Sequence, residues 1–359
     1  MNNKKSMAIV YTSLHFFVDL TTIYLISSVI LGPEIGIVHR GAVVIVYNLL
    51  AFAGQLPIGI LSDIFNKNRM FVVFGCLMAG VAYPVAFISP WIACVLASIG
   101  NGAFHIGAGA DILKWSMPKA GLSGLFVSSG ALGVWLAYKL ESDIVVFVLP
   151  AIVILSAVIL LVTGGNVKHE EKEHSISFVK PEKTVLAAIL CFMMTIVVRS
   201  LMGMVMNYSW KSIFAFSLLS VIAVVAGKAL GGYIADRFGY IKTSVVSLGL
   251  SFLLFIFSFE VPVSGILAIL FFNMTMPLTL TAIAELTGKK YGFAFGLTTF
   301  ALAIGFIPVV FGAAAWFSVA FVLICSGISL LLMSAGYLLM RKNNKDRCGN
   351  DMDSRNIIE

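Results

Sequence analysis

Long apolar runs separated by short polar turns dominate this chain. Their spacing predicts twelve helices, near 7–31, 41–62, 70–88, 91–113, 120–138, 143–163, 184–208, 211–233, 242–259, 262–284, 291–312 and 315–340. Each approaches the roughly 20 residues that cross a hydrocarbon layer. In lipid a helix satisfies its backbone polar groups within its own segment. The breaks are short except for 164–183, GGNVKHEEKEHSISFVKPEK, which divides the helices into two equal sets. The pattern therefore predicts an all-α integral membrane protein. It has an N-terminal six-helix half over 1–163, a linker over 164–183, a second six-helix half over 184–341 and a polar, mobile tail over 342–359. The run from Met7 to Leu31 is too long for a signal-peptide core and lacks a small-residue cleavage site, so it reads as a retained span.

Composition agrees with lipid as the solvent. Of 359 residues 60% are hydrophobic and 11% charged, too few charges for a soluble surface of this size. The cysteines are isolated and offer neither a disulfide framework nor metal-ligand spacing, so no metal or cofactor is expected. The net charge of +7 raises the question of nucleic acid, and the map of basic residues answers it. With the N-terminus cytoplasmic, the inner segments hold Lys4, Lys5, Lys67, Arg69, Lys114, Lys119, Lys168, Lys172, Lys180, Lys183, Arg237, Lys242, Lys289, Lys290 and the basic residues from Arg341 onward. The outer loops hold only Arg40, Lys139 and Lys211. This asymmetry predicts a multi-pass protein of the cytoplasmic (inner) membrane with both termini inside. It accounts for the basic balance without a nucleic-acid partner.

The two halves can be laid over each other. GQLPIGILSDIFNKNR (54–69) matches GKALGGYIADRFGYIK (227–242), pairing Gly54 with Gly227, Gly59 with Gly232, Asp63 with Asp236 and Arg69 with Lys242. GLFVSSGALG (124–133) aligns with GLTTFALAIG (296–305) at an offset one residue smaller, and that offset places Asn101 on Asn273. Matches in the same order at nearly one offset point to a duplicated six-helix unit, and two parallel repeats about an axis normal to the membrane are a common transporter plan.

GILSDIFNKNR after the second span and GGYIADRFGYIK after the eighth resemble the loop motif of the major facilitator superfamily, G-x-L-a-D-r-x-G-r-[kr]. The first copy departs at Ile64, where a basic residue is usual, and at Asn66, where Gly is usual. The resemblance covers span count, orientation, linker and both motifs. It implies two six-helix bundles that rock about a central cavity, and it gives Gly59, Asp63, Arg69, Asp111, Gly232, Asp236, Arg237 and Lys242 to an inner gate. The implied partner of Asp63 is the start of span eleven near Gly292–Gly296. That of Asp236 is the start of span five near Gly121–Gly124. In physical terms each is a carboxylate at a positive helix end. Arg69 is a possible partner of Asp111; the bland alternative is that these charges only set topology. GNGAFHIGAG in span four is also locally similar to the fosmidomycin-resistance branch. GLSGLFVSSGALG is similar to the fifth-span motif of the antiporters, which carries Pro where Ala131 stands.

Charges at membrane depth are costly unless they face a partner or a wet cavity. Span one carries Tyr11, His15, Asp19 and Thr22 on one helical stripe; span four carries Asn101 and His105 one turn apart; span seven carries Arg199 and Asn207; span ten carries Asn273, Thr275, Thr279 and Thr281. Spans three, six, nine and twelve carry no deep ionisable group and suit lipid. The candidates for a substrate and proton cavity are Tyr11, His15, Asp19, Asn101, His105, Arg199, Asn273 and Thr279. Asp19 and Arg199 lie at comparable depth, about 18 and 22 Å into their helices. They form either a structural ion pair or separate sites for a proton and an anionic substrate. His105 is a proton carrier, a substrate hydrogen-bonder or a satisfied structural group. Ser98, Gly102, Ala103 and Gly107 give small-residue spacing for close helix packing. Methionines in spans seven and ten read as packing or as an adaptable cavity wall, and Lys228, aligned with Gln55, as snorkelling or pairing near the inner gate.

No nucleotide-binding or catalytic motif appears, so no enzyme is expected. The expectation is a monomeric secondary transporter in the lipid bilayer, with a small-molecule substrate and a coupling proton as its partners, for an anionic, carboxylate-bearing or drug-like solute. The rival is a non-transporting membrane sensor or scaffold that kept the fold.

Overall fold

The computed structural model describes residues 2–32, 37–142, 144–163 and 182–356, with side chains described from 4 onward within these ranges and as far as 343, save those of 37 and 38. All but the last two residues of the linker, with Lys168, Lys172 and Lys180, lie outside the described residues, as does the end of the tail.

Among the described residues there are twelve apolar helices, ten of them long enough to cross a membrane and two, Gly121–Ala137 and Tyr240–Phe255, shorter. They are α1 (Lys4–Ile30), α2 (His39–Phe65), α3 (Asn68–Ala86), α4 (Pro90–Ser116), α5 (Gly121–Ala137), α6 (Val145–Val162), α7 (Lys183–Val205), α8 (Phe214–Phe238), α9 (Tyr240–Phe255), α10 (Pro262–Leu286), α11 (Tyr291–Val310) and α12 (Val319–Asn343). Two details differ from the periodicity. The tail continues the last helix as far as Asn356, with no proline after Arg341 to stop it, although its Asn, Asp and Gly residues are poor helix formers. Helix α10 is broken between Pro262–Asn273 and Met276–Leu286, where Pro277 has no N–H to return to the preceding turn.

The chain's first residues, the α2–α3 turn and the α4–α5 turn lie at one end, called here the basic end; Arg40, Lys139 and Lys211 lie toward the other. Helices α4 and α10 are the most enclosed, with 78% and 72% of their apolar windows buried. The expectation that α3, α6, α9 and α12 carry the lipid face needs widening, because α2 and α8, at 28% and 22%, are as open as α6 at 28%. They lie on the edges between the halves, so one side meets the opposite half and the other faces outward. Large apolar side chains such as Phe147, Leu155 and Val162 cover the outside, which suits hydrocarbon.

Small residues set the closest approaches. A Cβ on Gly107 would meet the backbone of Asn68 and Val72, and one on Gly100 would meet Gly75 and Ala79, so α4 lies backbone to backbone on α3. Gly102 instead faces Gln55 of α2. The two halves repeat this: Gly133 of α5 rests on Phe16 of α1, and its equivalent Gly305 of α11 rests on Val197 of α7. In a bilayer such contact supplies the dispersion that hydrophobic burial cannot. Gly107→Leu is expected to lower stability by about 1–3 kcal/mol through overpacking, read as a lower thermal unfolding midpoint in detergent, whereas Gly249→Leu, with open space around the position, leaves the midpoint unchanged.

Candidate functional site

At the basic end two carboxylates bridge the halves. Asp63, on the last turn of α2, accepts from the backbone N–H groups of Gly292 and Phe293 at 2.8 Å each, at the start of α11. Asp236, in the equivalent place on α8, accepts from Ala120 N at 2.7 Å and Gly121 N at 2.9 Å, at the start of α5. Each carboxylate takes up two amides that a helix start leaves unpaired, and each sits at the positive end of the peptide dipoles. The backbones must touch for this: a Cβ on Gly59 would strike Gly292, and one on Gly232 would strike Ala120. Tyr240 reinforces the second clamp, donating from its hydroxyl to Pro118 O at 2.8 Å and to Asp236 at 3.1 Å. The motif's glycine position also has a reason. Gly239 has φ +95° and the aligned Asn66 has φ +50°, and Asn is the side chain that best tolerates that region after Gly.

The remaining gate candidates divide. Arg69 hydrogen-bonds the carbonyl of Leu160 and the hydroxyl of Thr163, so it caps the C-terminal turn of α6. Its neighbour Asn68 donates to Asp111 at 2.8 Å and accepts from Ser62 at 2.7 Å. Tyr11 donates to the other Asp111 oxygen at 3.5 Å and stacks on Trp115. Tyr11 thus joins α1 to α3 and α4 at the basic end, one turn below the central polar groups. Arg237 and Lys242 are exposed at the same end.

In the middle of the first half, α1 and α4 bring four polar side chains together. Asp19 Oδ2 is 3.2 Å from His15 Nε2, and Asp19 Oδ1 is 3.5 Å from His105 Nε2. The two Nε2 atoms are 2.9 Å apart. Asn101 donates to Asp19 Oδ1 at 2.9 Å and to Thr22 at 3.1 Å, and Tyr47 donates to Thr22 from α2 at 3.1 Å. The Nδ1 atoms face backbone carbonyls: His15 Nδ1 lies 2.7 Å from Phe126 O and His105 Nδ1 lies 2.8 Å from Asn101 O. A carbonyl only accepts, so both Nδ1 atoms carry hydrogen, and both Nε2 lone pairs are left facing the same small space beside Asp19. Two lone pairs at 2.9 Å repel unless a positive centre lies between them. The neighbouring Asp19 carboxylate favours such a centre. Gly130 on α5 makes the room, since a Cβ there would run into both Asp19 and His15.

The second half faces this cluster with cations. Arg199, buried on α7, donates to Thr275 at 3.1 Å, within the break in α10, and to Thr279 at 3.2 Å, one turn beyond it. Both partners are neutral. Among the described residues no carboxylate lies within ion-pair distance of Arg199, so the pairing with Asp19 that depth allowed is not formed: Asp19 is held by the imidazoles and Asn101 of its own half. Lys228 on α8 is close enough for electrostatic interaction with both Arg199 and Asp19. It makes no hydrogen bond or ion pair among the described residues.

Of the cavity candidates, the structure thus brings His15, Asp19, Asn101 and His105 together on one side and Arg199 and Thr279 on the other. Asn273 does not join them. Its amide donates to Ile269 O of its own helix at 2.8 Å, and its side chain packs on Gly227. Thr275, Lys228 and Gly130 are the additions. Pro277 was the available signal for Thr275, because a proline two residues on frees the helix turn that presents it.

A search of curated proteins finds no match. Among solved structures, the chain is similar to FucP, a Major Facilitator Superfamily transporter, in its outward conformation. The TM-score is 0.69 at 12% identity, over 93% of this chain and 99% of that one. It is also similar to a variant of the E. coli fucose:proton symporter FucP, with TM-score 0.65 at 13% identity over 93% and 97%. A third similar structure is the human organic anion transporter MFSD10 (TETRAN), with TM-score 0.69 at 12% identity over 92% and 99%. The family model of the Major Facilitator Superfamily matches residues 8–310, and with twelve helices in this arrangement the chain belongs to that superfamily.

Proposed function

We propose that this secondary transporter carries a small anionic solute, coupled to a proton, by alternating access across the cytoplasmic membrane, as a monomer with both termini inside. The halves 1–163 and 184–341 rock about the central site, with 164–183 as the connecting segment. The observation that carries the proton is the contact of His15 and His105. With both Nδ1 hydrogens committed to carbonyls, one proton between the Nε2 atoms converts a repulsion into a charge-assisted hydrogen bond beside Asp19. The observation that favours an anion is the pair of cations, Arg199 and Lys228, that meet no carboxylate of their own half within the described residues. A charged group at this depth is expected to find its partner in a mobile ligand. The solved structures described as a proton symporter and an organic anion transporter share the fold, and the proton and the anion proposed here rest on this chain's own residues.

Rocking requires that the clamps of Asp63 and Asp236 open. They hold the basic end shut, and each carboxylate at a helix start is worth about 0.3–2 kcal/mol. Changing Asp236 to Asn is expected to shift the population toward the state open at the basic end by up to about 30-fold. A cysteine placed at the buried Ser123 (Ser123→Cys) reports it, since its labelling by an impermeant thiol reagent from the basic side speeds up in the Asp236→Asn background. Equal labelling in both backgrounds would remove the gating role.

The substrate charge is tested by thermal shift on purified protein against a panel of small carboxylates, phosphates and neutral sugars. The expected ligand is an anion whose stabilisation disappears with Arg199→Ala and weakens with Lys228→Ala. A neutral ligand whose shift survives both changes would refute the anionic reading. With that ligand in proteoliposomes, a pH gradient accelerates net transport by the unmodified protein. Asp19→Asn and His105→Gln are expected to abolish the acceleration while ligand exchange across a membrane at equal pH persists. A gradient response retained in both variants would overturn proton coupling at this cluster.

A further inference from the structure

The positive centre that His15 and His105 require need not be a proton. Two imidazole nitrogens and a carboxylate oxygen are a donor set that holds transition-metal ions. Among the described residues this is the one group of three His, Cys, Asp or Glu side chains that converge closely enough to do so. The separations are 2.9 Å between the Nε2 atoms, 3.2 Å from His15 Nε2 to Asp19 Oδ2 and 3.5 Å from His105 Nε2 to Asp19 Oδ1. Ligands at about 2.0–2.1 Å from a tetrahedral zinc ion stand about 3.3 Å apart. One donor atom from each of the three side chains lies within 4.8 Å of the other two, and each imidazole is near the roughly 3.3 Å edge from one carboxylate oxygen, so a small turn of the Asp19 carboxylate completes one face of such a tetrahedron.

The surroundings support the same conclusion. Both imidazoles have Nδ1–H on a backbone carbonyl, which fixes the tautomer that leaves Nε2 free to ligate. Asn101 orients the carboxylate from behind. Gly130 leaves out the side chain that would fill the space between Asp19 and His15. The side chains of His15, Asp19 and His105 keep 7%, 13% and 12% exposure, so the group is enclosed without being fully sealed. Calcium and magnesium fit poorly, because both take six or more ligands that are nearly all oxygen.

The geometry points to a binding site for one divalent transition-metal ion of the zinc type, held by His15 Nε2, His105 Nε2 and the Asp19 carboxylate. The ion and the shared proton use the same lone pairs, so they exclude each other, and a bound ion blocks coupling. Asn101 is a positioning residue for the site. This inference goes beyond the transport reading and stands on the donor geometry alone.

The test uses purified, untagged full-length protein in detergent, with cobalt(II) as the spectroscopic probe and zinc as its competitor. The expected result is saturable binding of one cobalt per chain, with the intense visible bands of a tetrahedral ion, displaced by zinc. Asp19→Asn and the His15→Gln/His105→Gln double variant are expected to lose these bands. Asn101→Ala is expected to weaken binding by about 10- to 100-fold, as loss of an outer-shell partner does. A second measurement needs no variant: zinc should protect His15 and His105 from carbethoxylation, mapped by mass spectrometry, while the exposed His39 reacts equally with and without zinc. Absence of saturable cobalt binding to the unmodified protein overturns the site. So does cobalt binding that keeps its stoichiometry in the variants, or reaction of His15 and His105 unaffected by zinc. None of these outcomes bears on whether an anion is carried.

Discussion

A polar group inside this molecule must find its partner within the protein or within a cavity, because lipid supplies none. How each deep charge meets that demand separates support from work. Asp63 and Asp236 are fully answered by backbone amides of the opposite half. Asp19 is answered by two imidazoles and an amide of its own half. Arg199 is answered only by neutral hydroxyls, and Lys228 by no hydrogen bond among the described residues. The gradient from satisfied to unsatisfied runs from the clamps at the basic end to the middle of the bundle. There a bound solute can supply what the protein withholds.

Much of the architecture was legible because it rests on one-dimensional quantities. Run length gives the spans, the placement of Lys and Arg gives the two ends, and self-similarity gives the duplicated half. The helix starts that face Asp63 and Asp236 were legible through the family resemblance of the two loop motifs, and the physics explains why such an assignment carries over. Any helix start offers free amides, so the partner is a position along the chain rather than a particular side chain. Pairings at the centre are different. Depth follows from 1.5 Å per residue, but whether two side chains meet depends on how each helix is rotated about its axis. Asp19 and Arg199 have matching depths and still hold different partners. Asn101 and Asn273 align in the repeat, yet one braces a carboxylate and the other closes on its own helix. Pro277 marks the break in α10 in the sequence, but how the chain around it presents Thr275 and Thr279 is not written there.

Glycine does more here than permit turns. Gly130 shapes the histidine cluster by omission, Gly59 and Gly232 let the clamps close, and Gly107 sets α4 on α3. Several of these positions border another backbone, where even a methyl group would force displacement. The polar chemistry and the backbone packing are therefore one design: each carboxylate reaches its amides because a neighbouring glycine has let the helices approach.

The two clamps are related by the internal repeat, and that relation has a kinetic consequence. Each half offers one carboxylate and receives one, so the latch has two bolts of similar strength at separate points. Releasing one leaves the other as a pivot about which the halves can begin to turn. In the alternating-access cycle proposed above, the opening motion would then divide into two smaller steps rather than one large one. The extra hydroxyl of Tyr240 on the Asp236 side would make the Asp63 bolt the first to slip and so give that cycle a preferred order.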